Sequence, residues 1–375
     1  MDFGFSEDQE QLRGAVREYF AAEFPVPFTR GLMESGAAFP DDAWKSLADL
    51  GWIGLAVPEA LGGSGLGLLE LTLVLEAAGQ VALGGPLVST VSLALPALLV
   101  TADETQRGEL VPEVVAGRHR IACAIAERRG RWSADAIEGV AVRDGSSFVL
   151  DAVKMFVPDG AEADTLVVAL RLDDGFGWFV LPASLPGLSV EPMRTVDRTR
   201  GLAVVRLDGV RVEADCLLGG RAHGAELLDS LVDRAKVALA AGMTGAADRS
   251  LQMTVEHTGM REQFGRALAT FQAIQHRCAD MKVAVEHAKS LVYYAAWAAD
   301  TGARDAHLAA AMAKAFASDS CPAVAADAVQ LHGGIGFTWE HDLHLFFKRL
   351  KADAQTYGDA TANRELVARF LEEQA

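Results

Sequence analysis

The chain reads as a multi-domain α+β protein. A helical N-terminal domain covers residues 1–118, a β-barrel or sandwich 119–221, and a four-helix-bundle domain 222–375. Three observations predict this. Apolar residues recur every three or four positions in the first and last segments. Between them lie short β-branched and aromatic runs divided by turn signals. The last segment is rich in alanine, whose small side chain lets helices approach closely.

In the first segment, Ser6-Glu7-Asp8-Gln9 has the form of a capping box. Leu12, Val16 and Phe20 then share one helix face. Asp41 and Asp42 open a second helix that carries Trp44, Leu47 and Leu50. Pro58-Glu59-Ala60-Leu61-Gly62-Gly63-Ser64-Gly65 is a loop. It lacks the spacing and the following Lys-Ser/Thr of a phosphate cradle. Residues 68–79 form a helix, and 87–99 another, interrupted by Pro96.

The period changes near Arg118. Runs at Ala141-Val142, Phe148-Val149-Leu150, Leu166-Val167-Val168, Trp178-Phe179-Val180 and Val204-Val205 read as strands. Asp144-Gly145, Asp173-Asp174-Gly175, Pro186-Gly187 and Asp208-Gly209 read as the turns between them, and Gly219-Gly220 closes the domain. Helices are then expected over 225–257, 271–300, 304–331 and 341–357, with a short one over 363–373. Within the second, Phe271, Ile274, Cys278, Met281 and Val285 form one stripe. Just before it stand Arg261, Gln263, Phe264 and Gly265. An arginine beside an aromatic ring suits a planar anionic ligand, with guanidinium for phosphate and ring for base. The alternative is an ordinary helix start with a solvated arginine.

Lys and Arg number 34 against 51 Asp and Glu, a formal net charge of −17. As a whole-body effect this repels nucleic acid and anionic membranes, so an anionic substrate needs a local basic patch. Cys123, Cys216, Cys278 and Cys321 are scattered and read as buried small side chains, with neither disulfide nor metal. Met1-Asp2-Phe3-Gly4 lacks a basic leader, and residues 87–100 fall short of the roughly 20 residues a membrane span needs. A cytoplasmic protein without membrane insertion is expected. His341 and His344, beside Glu340 and Asp342, have no third ligand in a metal-site spacing, so no metal is expected.

Two motifs carry a family resemblance. Arg261-Glu262-Gln263-Phe264-Gly265, followed by Phe271-Gln272-Ala273-Ile274-Gln275 and Ala279-Asp280-Met281, resembles the third-domain signature of acyl-CoA dehydrogenases. Gln330-Leu331-His332-Gly333-Gly334-Ile335-Gly336-Phe337, followed by Glu340, resembles a second signature of that family, in the same order and at the same spacing. The 58–65 loop and the succession of helical, β and helical segments agree. The resemblance therefore covers the whole chain and implies an acyl-CoA dehydrogenase-like fold. It implies FAD, its adenine and pyrophosphate held by Arg261, Gln263, Phe264, Leu268, Phe271, Gln272, Ile274, Gln330, Gly333 and Gly334, partly across a subunit interface. It also implies an acyl-CoA substrate, a dimer or tetramer, and electron-transfer flavoprotein as the acceptor.

The implied reaction removes a proton from the carbon beside a thioester carbonyl and passes hydride from the next carbon to the flavin. The family's usual base is a glutamate in a Y-E-G-T stretch. In an ungapped register from Gly333-Gly334 that position is Tyr357, and the same register puts Arg369 on the closing arginine of the pattern. A tyrosine, with an ordinary pKa of about 10, is a poor base near neutrality. The other family location of the glutamate falls on Ala235, in Ala235-Lys236-Val237-Ala238-Leu239-Ala240-Ala241-Gly242. In lacking both, the chain resembles the actinobacterial steroid- and fatty-acid-degrading type.

Asp359 is the nearest carboxylate and a candidate base, with a helix cap as its structural alternative. Lys236 and Asp233 are candidates for substrate contact, with solvated helix positions as their alternatives. Phe156, in Phe156-Val157-Pro158-Asp159-Gly160, keeps an aromatic face for the flavin ring, while Pro158 removes a hydroxyl and a backbone donor. Arg128, Arg129 and Arg131 are a CoA phosphate patch or a loop balancing local acids.

Three functions are compatible. The first is an FAD-dependent acyl-CoA dehydrogenase with an atypical or missing base. The second is a non-catalytic partner subunit in a hetero-oligomer, as some steroid-degrading bacteria pair such chains. The third is a flavin monooxygenase or nitroalkane oxidase-like enzyme on the same fold.

Overall fold

The computed structural model describes residues 4–373. Residues 1–3, most of the Met1-Asp2-Phe3-Gly4 start considered above, and 374–375 lie outside the described residues. The helices are α1 (Glu7–Glu23), α2 (Val26–Ser35), α3 (Asp41–Asp49), α4 (Leu68–Gln80), α5 (Leu87–Ser89), α6 (Leu95–Thr101), α7 (Glu104–Val115), α8 (Ala225–Met260), α9 (Gln272–Thr301), α10 (Ala306–His332), α11 (Leu343–Asp353) and α12 (Ala360–Glu373). Among the described residues no helix is long and apolar enough to cross a membrane. The chain divides into two compact units, one of residues 1–35, 68–83 and 236–375, the other of 36–67 and 84–235.

The first unit is helical. Ser6 and Gln9 close the expected capping box on α1, whose Val16 and Phe20 are buried. Helices α4 and α8 cross with backbone against backbone. A Cβ on Gly79 would lie 2.1 Å from the Gly242 carbonyl oxygen, and one on Gly245 would lie 1.9 Å from that of Glu76, so only glycine permits this approach. Buried charges sit beside the crossing. Glu76 takes Arg17 at 2.6 Å and Lys289 at 3.3 Å, and Lys289 also reaches Asp248 at 3.2 Å. Along α9 the predicted stripe is graded. Met281 and Val285 are buried, whereas Phe271, Ile274 and Cys278 are only half-covered.

The second unit packs α3 and α5–α7 with a seven-stranded mixed sheet. Its strands are β1 (Ile121–Ala124), β2 (Val140–Asp144), β3 (Ser147–Pro158), β4 (Thr165–Leu172), β5 (Gly175–Pro182), β6 (Leu188–Pro192) and β7 (Leu202–Glu213). β5 pairs antiparallel along one edge of β4. β1 pairs parallel with the start of the other edge and β2 bridges its end at Val140–Arg171, after which β3, β7 and β6 follow antiparallel. Phe148, Leu150, Leu166, Val168, Phe179 and Val205 anchor the core.

One expectation is corrected here. Asp208-Gly209 does not separate strands. It is a bulge inside β7, two residues opposite Asp151, whose carboxylate accepts the Gly209 amide at 2.8 Å. Trp44 and Leu47 of α3 are buried, and Leu50 ends the helix and is exposed. Around Pro96 the 87–101 segment keeps its helical path by widening into a π turn, Thr90–Ala94, where the Leu95 amide reaches the Thr90 carbonyl. The proline then falls in the first turn of α6, where its missing N–H costs least. In the 58–65 loop, the amides of Gly62, Gly63, Ser64 and Gly65 all donate to carbonyls of residues 54–59. None is left for a phosphate.

Candidate active site

The Arg261 segment is a β-hairpin, which periodicity does not reveal. β8 (Glu262–Gln263) pairs with β9 (Arg266–Ala267), and Phe264-Gly265 form the two-residue turn. Both turn residues have positive φ, +56° and +77°, as a type I′ turn requires. Phenylalanine is a poor choice there, and its ring is 90% exposed. Strain of this kind persists where something other than monomer stability selects the residue. Arg266 lies 3.9 Å over the Phe271 ring, which also meets Phe264 edge-on at 6.1 Å. Leu268 opens a short 3₁₀ turn and Phe271 caps α9, with Gln272 exposed and Ile274 half-covered behind it. The Gln263 amide turns back onto the Glu262 carbonyl. Among the described residues the Arg261 guanidinium has no hydrogen bond or ion pair.

The second motif ends α10. Gly333 leaves the helix at φ +65°, its amide bonded to the Gln330 carbonyl. Gly333 and Gly334 are exposed, and a Cβ on either would meet nothing within 4 Å. The Gln330 side chain is exposed too. Beyond the glycines, Phe337 is 78% exposed, with Ile335 and Trp339 also open. The roots of the two motifs meet. His257, one turn before Arg261, stacks on His332 at 4.4 Å, and His332 meets His341 edge-on at 4.8 Å. Burial, then the neighbouring histidines, hold His257 and His341 below the ordinary imidazole pKa. Burial does the same to His332, against a backbone bond to Ala328. These rings pack against one another, one pair stacked and one edge-on, and no metal-binding cluster occurs among the described residues.

The expected base segment is the turn between α11 and α12. Tyr357 is buried with φ +58°, and Gly358 follows at +91°. Asp359 accepts the Ala362 amide at 2.8 Å, the geometry of a cap on α12. Beneath the turn lies a residue the sequence reading passes over. Lys314 of α10 is completely buried and donates to Ser318 Oγ at 2.6 Å, Ala354 O at 3.1 Å and Gly358 O at 3.0 Å. Lys236 is buried, not solvated as its alternative had it, in a stretch of α8 where Val237, Ala238, Leu239, Ala240 and Ala241 are buried too; Asp233 is half-covered.

In the β unit, Phe156 sits on a bulge where Met155 and Phe156 oppose one residue of β7, and its φ is +56°. A buried ion pair fastens this bulge. Lys154 Nζ donates to Glu127 at 2.5 Å and to Ile125 O at 3.2 Å, while Glu127 accepts the amides of Glu138 and Gly139. Burial raises the Glu127 pKa, but the Lys154 charge and these hydrogen bonds outweigh it and the net shift is downward. Burial lowers Lys154 against the pull of Glu127. The loop of Arg128–Arg131 and the 156–160 segment are thus neighbours, with a Cβ on Gly130 only 3.6 Å from the Phe156 ring. Arg129 and Arg131 face Glu138 and Asp135 at the surface, the pattern of a loop balancing its own acids.

Residues 6–118 match the acyl-CoA dehydrogenase N-terminal domain, and 222–372 match the acyl-CoA dehydrogenase C-terminal domain. Acyl-CoA dehydrogenase IpdE2 of Mycobacterium tuberculosis is 33% identical over 350 residues, 93% of this chain and 92% of its own. The chain belongs to the acyl-CoA dehydrogenase family. Among solved structures of the family, butyryl-CoA dehydrogenase from Megasphaera elsdenii superposes with a TM-score of 0.91 at 25% identity, over 99% of this chain and 100% of its own. The Tcur3481-Tcur3483 steroid ACAD gives 0.88 at 33% identity, over 98% of each chain. The chain is thereby an oxidoreductase of the acyl-CoA dehydrogenase type. Of the five non-glycine residues with positive φ among those described, three are Phe156, Phe264 and Tyr357, each singled out from family motifs.

Proposed function

We propose that the chain is an FAD-dependent acyl-CoA dehydrogenase that works with an atypical base. What carries the reading is the open surface of the two motif segments. Arg261 and Gln330 are exposed and their side chains make no hydrogen bond among the described residues, Phe264 offers a ring, and Gly333 and Gly334 leave room for close approach. These groups fit an adenosine diphosphate moiety: guanidinium and glycine amides for phosphate, aromatic face for base. Leu268, Phe271 and Ile274 supply the half-covered apolar floor, and Gln263 and Gln272 the polar rim. In a homo-oligomer a second protomer completes the grip, which accounts for Phe264 and Phe337 standing in solvent on one chain.

Bound FAD would supply the hydride acceptor, and Phe156 would flank its ring. The chain's own part is to take the proton. Asp359 Oδ1 is engaged by the Ala362 amide, and among the described residues Oδ2 has no hydrogen bond; that oxygen is the acceptor in this reading, with the Tyr357 hydroxyl as a donor nearby in sequence. Lys236 and Asp233 on α8 are assigned to substrate positioning, and electron-transfer flavoprotein to reoxidation.

The test is the absorption spectrum of purified protein under anaerobic conditions, before and after a panel of acyl-CoAs. Bleaching of bound flavin is expected with at least one. Flavin that is present and never bleaches overturns the reading. A second reading, a non-catalytic partner in a hetero-oligomer with a related subunit, is favoured by one observation: both usual base positions hold buried uncharged residues, Ala235 and Tyr357. Isolation of a stable, active homo-oligomer excludes it.

A further inference from the structure

Lys314 lies in an alanine-rich helix with its whole side chain out of water. A buried ammonium is tolerated when each N–H finds an acceptor, and here all three do. Two of those acceptors, Ala354 O and Gly358 O, are main-chain carbonyls that bracket Tyr357. From the other side, Asn363 Nδ2 donates to Gly358 O at 3.0 Å and to Asp359 O at 2.9 Å. It would lie 3.1 Å from a Cβ on Gly358, so that position admits little besides glycine. Tyr357 and Gly358 both hold left-handed backbone angles. A tyrosine does not adopt that conformation unless its surroundings impose it.

We propose that Lys314, assisted by Asn363, is a positioning residue that clamps the 354–359 turn and so fixes where Tyr357 and Asp359 stand. The functional part of the proposal rests on reading that turn as the base segment; the clamp itself does not. Lys314 touches no reacting atom. It acts through the main chain.

The clamp depends on charge. Asp353 at the end of α11, Asp359 beyond the turn, Lys236 on α8 and the Cys321 thiol on α10 are the titratable groups that act on Lys314. Burial dominates and, with Lys236, outweighs the two aspartates, bringing the Lys314 pKa down to about 8. Above that pH the neutral amine has two N–H groups for three acceptors, and the turn loosens. The global effect has the opposite sign. Because the folded-state value lies below the ordinary 10.5, the unfolded chain holds the proton more tightly. This group's contribution to stability therefore rises from about pH 8 to about 10.5. Local loosening beside a rising global contribution is not what general alkaline unfolding produces.

The test is hydrogen exchange by mass spectrometry on the full chain, each rate divided by the intrinsic rate at that pH. In the wild type, residues 352–364 should open about tenfold more at about pH 9.5 than at about pH 7, with α9 unchanged. In Lys314→Met the segment should already be open by about tenfold at about pH 7, and its profile should be flat. A flat wild-type profile, or a variant as protected as the wild type, overturns the clamp. The wild-type series decides alone if the variant does not fold. Acyl-CoA turnover is read in parallel, and Lys314→Met should lower kcat about tenfold with KM changed less than about threefold. A loss confined to KM overturns the positioning role. Wild-type protein that turns over no acyl-CoA removes the functional reading, while exchange still judges the clamp.

Discussion

Replacing Glu127 by alanine should loosen the β3 bulge that carries Phe156. The carboxylate holds Lys154 Nζ at 2.5 Å and the amides of Glu138 and Gly139 at 2.8 and 2.9 Å. Without it, Lys154 stays fully buried with the Ile125 carbonyl at 3.2 Å as its remaining acceptor. Removing one partner of a buried ion pair costs about 3–5 kcal/mol. The Gly139 amide is buried too, and its loss adds about 1–3 kcal/mol, whereas the exposed Glu138 amide turns to water. The two terms overlap, so about 5 kcal/mol is expected, or roughly three to four powers of ten in local opening. Hydrogen exchange of β3 amides reads this directly, without requiring the whole chain to unfold reversibly. Glu127→Gln, which keeps an acceptor for each amide, should lose distinctly less. The wild-type contribution has a pH window. The Glu127 pKa is lowered from 4.5, so the stabilisation is complete above that value and vanishes as pH falls through the lower folded-state value. A change under about fivefold in Glu127→Ala would mean the pair is hydrated, and the account of what holds Phe156 would be wrong.

Phe264→Asn should relieve the left-handed strain of the hairpin turn and raise the stability of isolated protomers by about 1 kcal/mol, while lowering flavin retention; thermal midpoint and flavin content per chain would measure both. A Cβ on Gly334 meets nothing within 4 Å, so for Gly334→Ala the thermal midpoint without flavin should shift by less than that of about 1 kcal/mol, yet flavin binding should fall more than about tenfold if a ligand or second protomer approaches there. The lowered pKa values of His257, His332 and His341 mean that the unfolded chain takes up protons first. Stability should therefore fall as pH drops below about 6.5, and His332→Phe should flatten that slope in acid-denaturation profiles.

Periodicity made the helices legible. The expected 271–300 and 304–331 segments lie within two residues of α9 and α10 because their burial pattern repeats every three to four positions. Motif spacing is what singles out Arg261, Gln330 and the glycines after it as the proposed nucleotide grip. Other features left no such trace. The hairpin at Phe264-Gly265 escapes notice because its first turn residue is chemically wrong for the turn it makes. Asp208-Gly209 has the composition of a turn, but a neighbouring strand absorbs it as a bulge. Lys314 is invisible because a lysine among alanines reads as a solvated position; only the carbonyls converging on its ammonium show otherwise. Of the expected base segment, the sequence shows which residues occupy it, while the left-handed backbone that holds them depends on α10 and α12 together.

The glycine crossing of α4 and α8 also constrains what the enzyme can become. Where main chains touch, there are no rotamers to rearrange, so α8 can neither roll nor slide against its neighbour without overlap of backbone atoms. Lys236 stands about two helical turns before Gly242 and inherits that immobility. Were a glutamate reinstated at Ala235 on the same helix, its starting point would be dictated by where two glycines let the helices meet. Side-chain reach alone would have to do the rest.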